Sequence, residues 1–308
     1  MNSTAPEMRT ASLPDLFTTE EALAMGLTRR DLAGPGFRRL FWGAYVRNGA
    51  QPSYAEQVSF GLRVVPAAKF ASQHSAARLL GGIAPAASNL HLGALTRHQC
   101  TREGLIVHYY THPPELVRIN GIPVTSPAQT FLDLARSLEF ADLLVLGDSL
   151  VRRTEWSPTH IRQFVTASSA HGARHAREVA ELIRSKVDSP NESRLRLLLI
   201  SAGLPAPSVN HEVRTEWRTA HRRIDLCYEQ WKVAIEFDGR HHIDRVRQWE
   251  DDILRREELE AMGWRFIVVT SSEMYREPLR VLQRIVDALT AVGASPMQIR
   301  NGWRRHFG

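Results

Sequence analysis

Two cysteines in 308 residues, Cys100 and Cys227, are too few and too far apart for a disulfide framework or a cysteine-rich zinc site, so no zinc is expected. Lysine is nearly as scarce. Of the 39 Lys and Arg residues only Lys69, Lys186 and Lys232 are lysines, and arginine carries the remaining positive charge. No run approaches the roughly 18 apolar residues of a membrane-crossing helix. The N-terminal Met1-Asn-Ser-Thr-Ala-Pro-Glu-Met-Arg9 has no apolar core after a basic stretch, as a secretory leader would. A soluble cytoplasmic protein without a membrane partner is the expectation. The net charge of +6 is mild for a nucleic-acid binder but has the right sign, and arginine's planar fork suits phosphates and base edges.

What is present concentrates between Ile224 and Gly263. Arg223, Asp225 and Cys227 alternate with Ile224, Leu226 and Tyr228, the period of a half-buried strand. Lys232 to Asp238 alternates again, with Val233, Ile235 and Phe237 on one face and Lys232, Ala234, Glu236 and Asp238 on the other. Only Glu229, Gln230 and Trp231 lie between the two runs, so a tight antiparallel hairpin brings Asp225 within about one residue pair of Glu236. Carboxylates crowded in a partly buried site raise one another's pKa, and an oxygen-loving divalent ion, Mg²⁺ or Mn²⁺, relieves that cost. Asp225 and Glu236 are the expected metal ligands, and phosphodiester hydrolysis is the chemistry such a site serves.

Six blocks carry a family likeness: Asn191-Glu-Ser-Arg-Leu-Arg-Leu-Leu-Leu-Ile200, Gly203-Leu-Pro-Ala-Pro207, Arg223-Ile-Asp-Leu226, Ile235-Glu-Phe-Asp-Gly-Arg-His-His242, Trp249-Glu-Asp-Asp-Ile-Leu-Arg255 and Leu259-Glu-Ala-Met-Gly-Trp264. In order and spacing they resemble domains related to the very-short-patch-repair (Vsr) endonucleases of the PD-(D/E)XK superfamily, over about residues 188 to 292. The resemblance implies catalytic roles for Glu192, Asp225, Glu236 and His242, and for Asp252 and Arg255 as a charged pair on the following helix. One position departs from the superfamily. Asp238 stands where a lysine is usual, which leaves His242 or Arg255 to supply positive charge at the phosphate. Lys232 is a weaker candidate, two pleats from Glu236.

Each of these residues also has a structural reading. Asp238-Gly239 suits a strand-ending turn, Asp252 and Arg255 an i,i+3 ion pair, and Ser189-Pro-Asn-Glu192 a helix capping box. His241 and His242 alone would be surface histidines.

Near the N-terminus, Thr18-Thr-Glu-Glu21 and Thr28-Arg-Arg-Asp31 read as capping boxes of two short helices separated by a turn at Gly26. Phe37 to Val46, with Gly43 between two β-prone runs, reads as a hairpin wing. The segment resembles the winged-helix domain of AbiEi-like antitoxins, which implies DNA contacts by Arg29, Arg30, Arg38 and Arg39. Residues 55 to 170 say least: a helix stopped at Gly81, a strand from Leu105 to Tyr110, and a strand entering a helix capped by Ser126. His74, His91, His98, His108 and His112 lack ligand spacing and read as ordinary polar residues. Further on, Ser272 is expected to cap a helix whose core face is Leu279, Leu282, Val286 and Leu289.

The expected architecture is α/β, α+β overall: a winged helix-turn-helix in residues 1 to 54, a middle α/β region with a helical linker in 55 to 187, and a restriction-endonuclease-like mixed sheet flanked by helices in 188 to 308. The expected function is metal-dependent endonucleolytic cleavage or nicking of DNA. The alternative is a non-catalytic repressor or antitoxin that keeps a degenerate nuclease fold. RNA in place of DNA stays open, as does a homodimer that would cut both strands.

Overall fold

The computed structural model describes residues 13–97, 103–214, 221–238 and 246–308, excluding the side chains of 221 and 246–253. Among the described residues, three sheets and 13 helices give the expected mixed α/β class, divided between two compact units.

The first unit runs to Ser137 and includes Gln163–Ala176. It begins with β1 (Leu16–Thr18), α1 (Thr19–Ala24), α2 (Arg29–Leu32), β2 (Phe37–Phe41) and β3 (Ala44–Arg47). Both capping boxes form. The Glu21 N–H donates to the Thr18 hydroxyl at 3.1 Å while the Thr18 N–H donates to the Glu21 carboxylate at 2.8 Å, and Thr28 and Asp31 repeat the exchange. Gly43, with φ of 76°, turns the β2–β3 hairpin, a conformation that glycine adopts without strain. β3 lies between β1 and β2, and Phe17 is fully buried with Phe37 set edge-on to it.

The chain continues through α3 (Tyr54–Val64), β4 (Ala68–Ala71), α4 (Gln73–Leu79), β5 (Leu90–Ala94), β6 (Leu105–Tyr109), β7 (Leu116–Ile119), β8 (Ile122–Thr125) and α5 (Pro127–Leu134). The five strands form a mixed sheet in the order β6-β5-β4-β8-β7. Gly93 is required where it stands, because a Cβ there would lie 1.9 Å from the Phe70 ring. Three histidines expected to be unrelated meet in this unit. Parallel pairing of β5 with β6 and the placement of α4 stack His74, His91 and His108, with centroids 5.0 and 5.1 Å apart and His91 Nδ1 2.9 Å from His108 Nε2. Their spacing carried no sign of this, since the three lie on separate elements.

Burial lowers the pKa of both His91 and His108 to about 4, and burial raises that of Asp133 to about 6. A depressed histidine is neutral in the fold but takes up a proton in the unfolded chain below about pH 6.5, so its contribution to stability is lost as pH falls toward 4. Asp133 acts oppositely, being protonated in the fold before it is in the unfolded chain. The double variant His91→Asn, His108→Asn should therefore lose less melting temperature, or gain more, than the wild type between pH 6.5 and 4.5; an unchanged pH dependence would show that these two histidines do not contribute to it.

The second unit comprises Leu138–Arg162 and the chain from Arg177. The helices α6 (Phe140–Arg153), α7 (Pro158–Ala167), α8 (Ala173–Ala180) and α9 (Pro190–Ser201), with the division between the units running through α7 and α8, precede β9 (Ser208–Arg214), β10 (His221–Tyr228), β11 (Val233–Asp238), α10 (Val246–Ala261), β12 (Arg265–Thr270), α11 (Ser271–Arg276), α12 (Pro278–Ala291) and α13 (Arg304–Phe307). The sheet order is β12-β11-β10-β9, antiparallel except for the parallel β11–β12 pair. Two local expectations are corrected. Thr270, not Ser272, caps the helix after β12, because its hydroxyl and N–H complete a reciprocal box with Glu273. Leu279 is 48% exposed, and the buried face of α12 is Val281, Leu282, Ile285, Val286, Ala288 and Leu289.

α6 packs on α9 around an ion pair withdrawn from water. Arg196 Nη2 lies 2.7 Å from Asp148 Oδ2, with the two side chains 1% and 2% exposed. Asp148 also accepts from the Ser193 hydroxyl at 2.7 Å and the Arg184 N–H at 2.8 Å, while Arg196 donates to the Leu182 carbonyl at 2.6 Å. Burial pushes the Asp148 carboxyl up, and Arg196 draws it back. Removing one partner strands the other charge. Asp148→Ala should cost about 3 to 5 kcal/mol in urea unfolding, and a loss below about 1 kcal/mol would mean that the pair does not hold α6 to α9.

Candidate active site

The hairpin expected from the sequence forms, and it decides the geometry. Leu226 pairs with Ile235, Cys227 with Ala234 and Tyr228 with Val233, and continuing that register sets Asp225 opposite Glu236. The turn is a 3₁₀ segment, Glu229–Trp231, closed by Lys232 in a left-handed conformation. Lys232 also anchors that turn, since its Nζ donates to the Met262 carbonyl at 2.8 Å and so ties the turn to the end of α10.

Asp225 accepts a long bond, 3.4 Å, from the Phe237 N–H. Burial, and then the neighbouring Glu236, raise its pKa; Arg255 and Arg223 act against them. Glu236 is 14% exposed in its side chain, and Arg255 Nη1 stands 2.7 Å from its Oε1. That contact is ionic without being a directed hydrogen bond. The same nitrogen donates to the Arg223 carbonyl at 2.7 Å, and Glu236 Oε1 is a buried oxygen with no hydrogen-bond donor aimed at it. Arg255 therefore reaches from α10 to β11.

Glu192 sits at the start of α9. Its N–H is capped by Ser189 at 3.2 Å as the sequence predicts, yet its carboxylate accepts from the Asp188 N–H at 3.0 Å and from Asn210 Nδ2 at 3.3 Å. It is 6% exposed, and its pKa is raised by burial first and also by Asp225, which places the two carboxylates within electrostatic reach. Asn210 was not singled out from the sequence. It falls opposite Asp225 in the β9–β10 register, has a left-handed φ of 46°, and keeps its Oδ1 buried without a partner. The Val-Asn-His stretch has no motif character, and only the strand pairing reveals the position.

Asp238 ends β11, half-buried and opposite Thr270. His242 lies outside the described residues, as does the side chain of Asp252. Asp225 and Glu236 thus face each other across β10 and β11, with Arg255 reaching in from α10 and Glu192 within electrostatic reach on α9, but among the described residues no three of the acids bring ligand oxygens within 4.8 Å of one another. The oxygens are hard donors, and a buried Glu236 oxygen lacking a directed donor fits a divalent cation such as Mg²⁺ or Mn²⁺.

Arg29, Arg30, Arg38 and Arg39 are all exposed in the first unit. Arg39 is engaged by Glu103 at 3.1 Å and lies 5.5 Å from the ring centroid of Trp42, which is 59% exposed at the hairpin tip.

Comparison with known proteins bears on the second unit. The restriction-endonuclease-like family model REase_MTES_1575 matches residues 207–289, the span that holds β9 to β12 with Asn210, Asp225, Glu236, Asp238 and Arg255. The C-terminal domain is restriction-endonuclease-like. The Mycobacterium tuberculosis uncharacterized proteins MT2308 (strain CDC 1551) and Rv2248 (strain H37Rv) are each 26% identical over 187 residues, 60% of this chain and 68% of theirs. The crystal structure of the RV2827C protein from Mycobacterium tuberculosis, at 14% identity and a TM-score of 0.37, covers 61% of this chain and 77% of its own, a likeness too distant to carry an argument. No described helix is long and apolar enough to cross a membrane.

A carboxylate raised by burial and by a like charge favours its protonated form, so at neutral pH the ionised Asp225 works against folding. Asp225→Asn should raise the melting temperature of the metal-free protein at pH 7.5 and lose that advantage at pH 4. An equal or lower melting temperature at both pH values would show that the carboxylates do not strain one another.

Proposed function

We propose that the chain is a DNA-binding, metal-dependent endonuclease of the Vsr-like branch. The observation that carries this reading is the pairing of Asp225 with Glu236 across β10 and β11, with Glu236 Oε1 buried and without a directed donor. Asp225 and Glu236 would hold Mg²⁺ or Mn²⁺, and Asp238, one pleat beyond Glu236, would serve as an outer acid. When bound, the ion supplies Lewis-acid polarisation of a phosphoryl oxygen and a water of lowered pKa. Glu192, buried and held by Asp188 and Asn210, presents a fixed carboxyl near Asp225 for orienting that water. Hydrolysis joins the water oxygen to phosphorus and breaks one ester bond, and the leaving oxygen takes a proton. Arg255 is placed to meet the phosphate charge in the role that a motif lysine has elsewhere, and His242 is assigned the leaving oxygen on its sequence position alone.

The basic hairpin and α2 of the first unit supply a docking surface. Arg29, Arg30 and Arg38, with Arg39 beside the exposed Trp42, offer phosphate contacts and one aromatic face in the manner of a winged helix, here of the AbiEi-like kind. A DNA substrate fits a cytoplasmic protein.

One observation favours the second reading, a repressor or antitoxin with an inactive nuclease fold. Arg255 already sets a fixed cation 2.7 Å from Glu236. Plasmid nicking separates the two. With Mg²⁺ or Mn²⁺ the wild type should convert supercoiled to open-circular DNA, and Asp225→Ala or Glu236→Ala should lower the rate by at least about a hundredfold. A wild type inert with both ions that still shifts DNA in a gel would establish the repressor reading.

A further inference from the structure

A second donor cluster lies on the same sheet, about 7 Å along β10 from Asp225 at ordinary strand rise. His211 on β9, Cys227 on β10 and Glu229 in the turn each offer one ligand atom, and the three atoms lie within 4.8 Å of one another. His211 Nδ1 is 3.2 Å from Glu229 Oε1. Ligand atoms about 2.0 to 2.3 Å from a tetrahedral ion stand about 3.4 Å apart, so the nitrogen and oxygen are already near that spacing and the sulfur, within 4.8 Å of both, has at most about 1.4 Å to close.

We propose that His211, Cys227 and Glu229 bind a thiophilic divalent cation of the Zn²⁺ class. One nitrogen, one sulfur and one oxygen donor suit such an ion and do not suit Mg²⁺, which selects oxygen alone. The shortage of cysteine excludes a cysteine-rich zinc site, but a mixed site needs only one. Asn210, with its left-handed φ of 46°, immediately precedes His211 in β9. Cys227 and Glu229, though not His211, line a cleft of about 590 Å³ together with Ser208, Tyr228 and Trp231, which opens two of the three ligands to an ion. On binding, the thiol proton passes to solvent and the ion clasps the edge strand β9 to the β10–β11 turn. This inference is independent of the endonuclease reading.

Cobalt titration of the metal-stripped full-length protein tests it. The wild type should show a near-ultraviolet thiolate-to-cobalt charge-transfer band with visible bands of tetrahedral intensity. Asp225→Asn should keep them, because its oxygens belong to the other site. His211→Ala and Glu229→Gln should weaken cobalt binding by more than the roughly 10- to 100-fold that loss of an outer-shell partner causes. Cys227→Ser should abolish the charge-transfer band; since Cys227 is fully buried, a second measurement covers a variant that fails to fold. Zn²⁺ should slow alkylation of Cys227 in the wild type and not in Glu229→Gln, whose changed side chain is exposed. Cobalt bound without a charge-transfer band, a band that survives Cys227→Ser, or alkylation indifferent to Zn²⁺ would overturn the proposal.

Discussion

Asp225 and Glu236 face each other because β10 and β11 are joined by a four-residue turn, Glu229 to Lys232, and the rest of the second unit is arranged around the cost of that meeting. Two carboxylates brought together partly out of water repel, and burial disfavours the charge of Asp225. The fold answers from several directions. Arg255 arrives from α10 and the Phe237 N–H from β11, while Glu192, held by Asp188 and Asn210, adds a further like charge near Asp225. These contacts moderate the charge without extinguishing it. Asp225 remains raised, and one oxygen of Glu236 remains without a directed hydrogen bond. A site built for stability alone would have had an amide or an apolar pair at these positions.

The rigidity that makes this arrangement hold comes from elsewhere in the unit. α9 carries Glu192 in its first turn, Ser193 directly after it and Arg196 one turn on, and the last two lock onto Asp148 of α6. The same helix therefore presents one acid to the sheet and anchors itself through a buried pair. Displacing α9 would move Glu192 relative to Asp225, so the stability of the Asp148 pair and the geometry of the carboxylates are coupled through one helix. At the other side, Lys232 and Gly263 fix the turn against the end of α10, which sets how far Arg255 reaches.

What the sequence makes legible is local or periodic. The β10–β11 hairpin, the two N-terminal capping boxes, the Ser126 cap and the glycine stop of α4 all follow from residues within a few positions of one another, and each forms as expected. The misses are long-range. Arg255 has Asp252 three residues away, and nothing in that spacing foretells Glu236 as the partner across the sheet. Asn210 becomes a site residue only through strand register. His74, His91 and His108 come from three elements, and only the parallel pairing of β5 with β6 and the position of α4 stack them. Thr270 and Ser272 are both plausible caps by composition, and the choice fell to the residue with Glu three positions later.

Asp238 illustrates how far the chemistry can be argued from one departure. In a site that expects lysine there, an acid removes one positive charge and adds a negative one. The compensation must come from a cation on another element, and Arg255 is the described cation in contact with the acids. A guanidinium differs from an ammonium in its fixed plane and its reluctance to give up a proton. It can hold a phosphate or screen a carboxylate, but it is a poor proton donor to a leaving oxygen. If the domain hydrolyses phosphodiesters with a divalent ion, Asp225 and Glu236 would hold that ion and Arg255 would meet the phosphate, so the guanidinium, 2.7 Å from Glu236, would have to serve the carboxylate and the phosphate from one fixed plane.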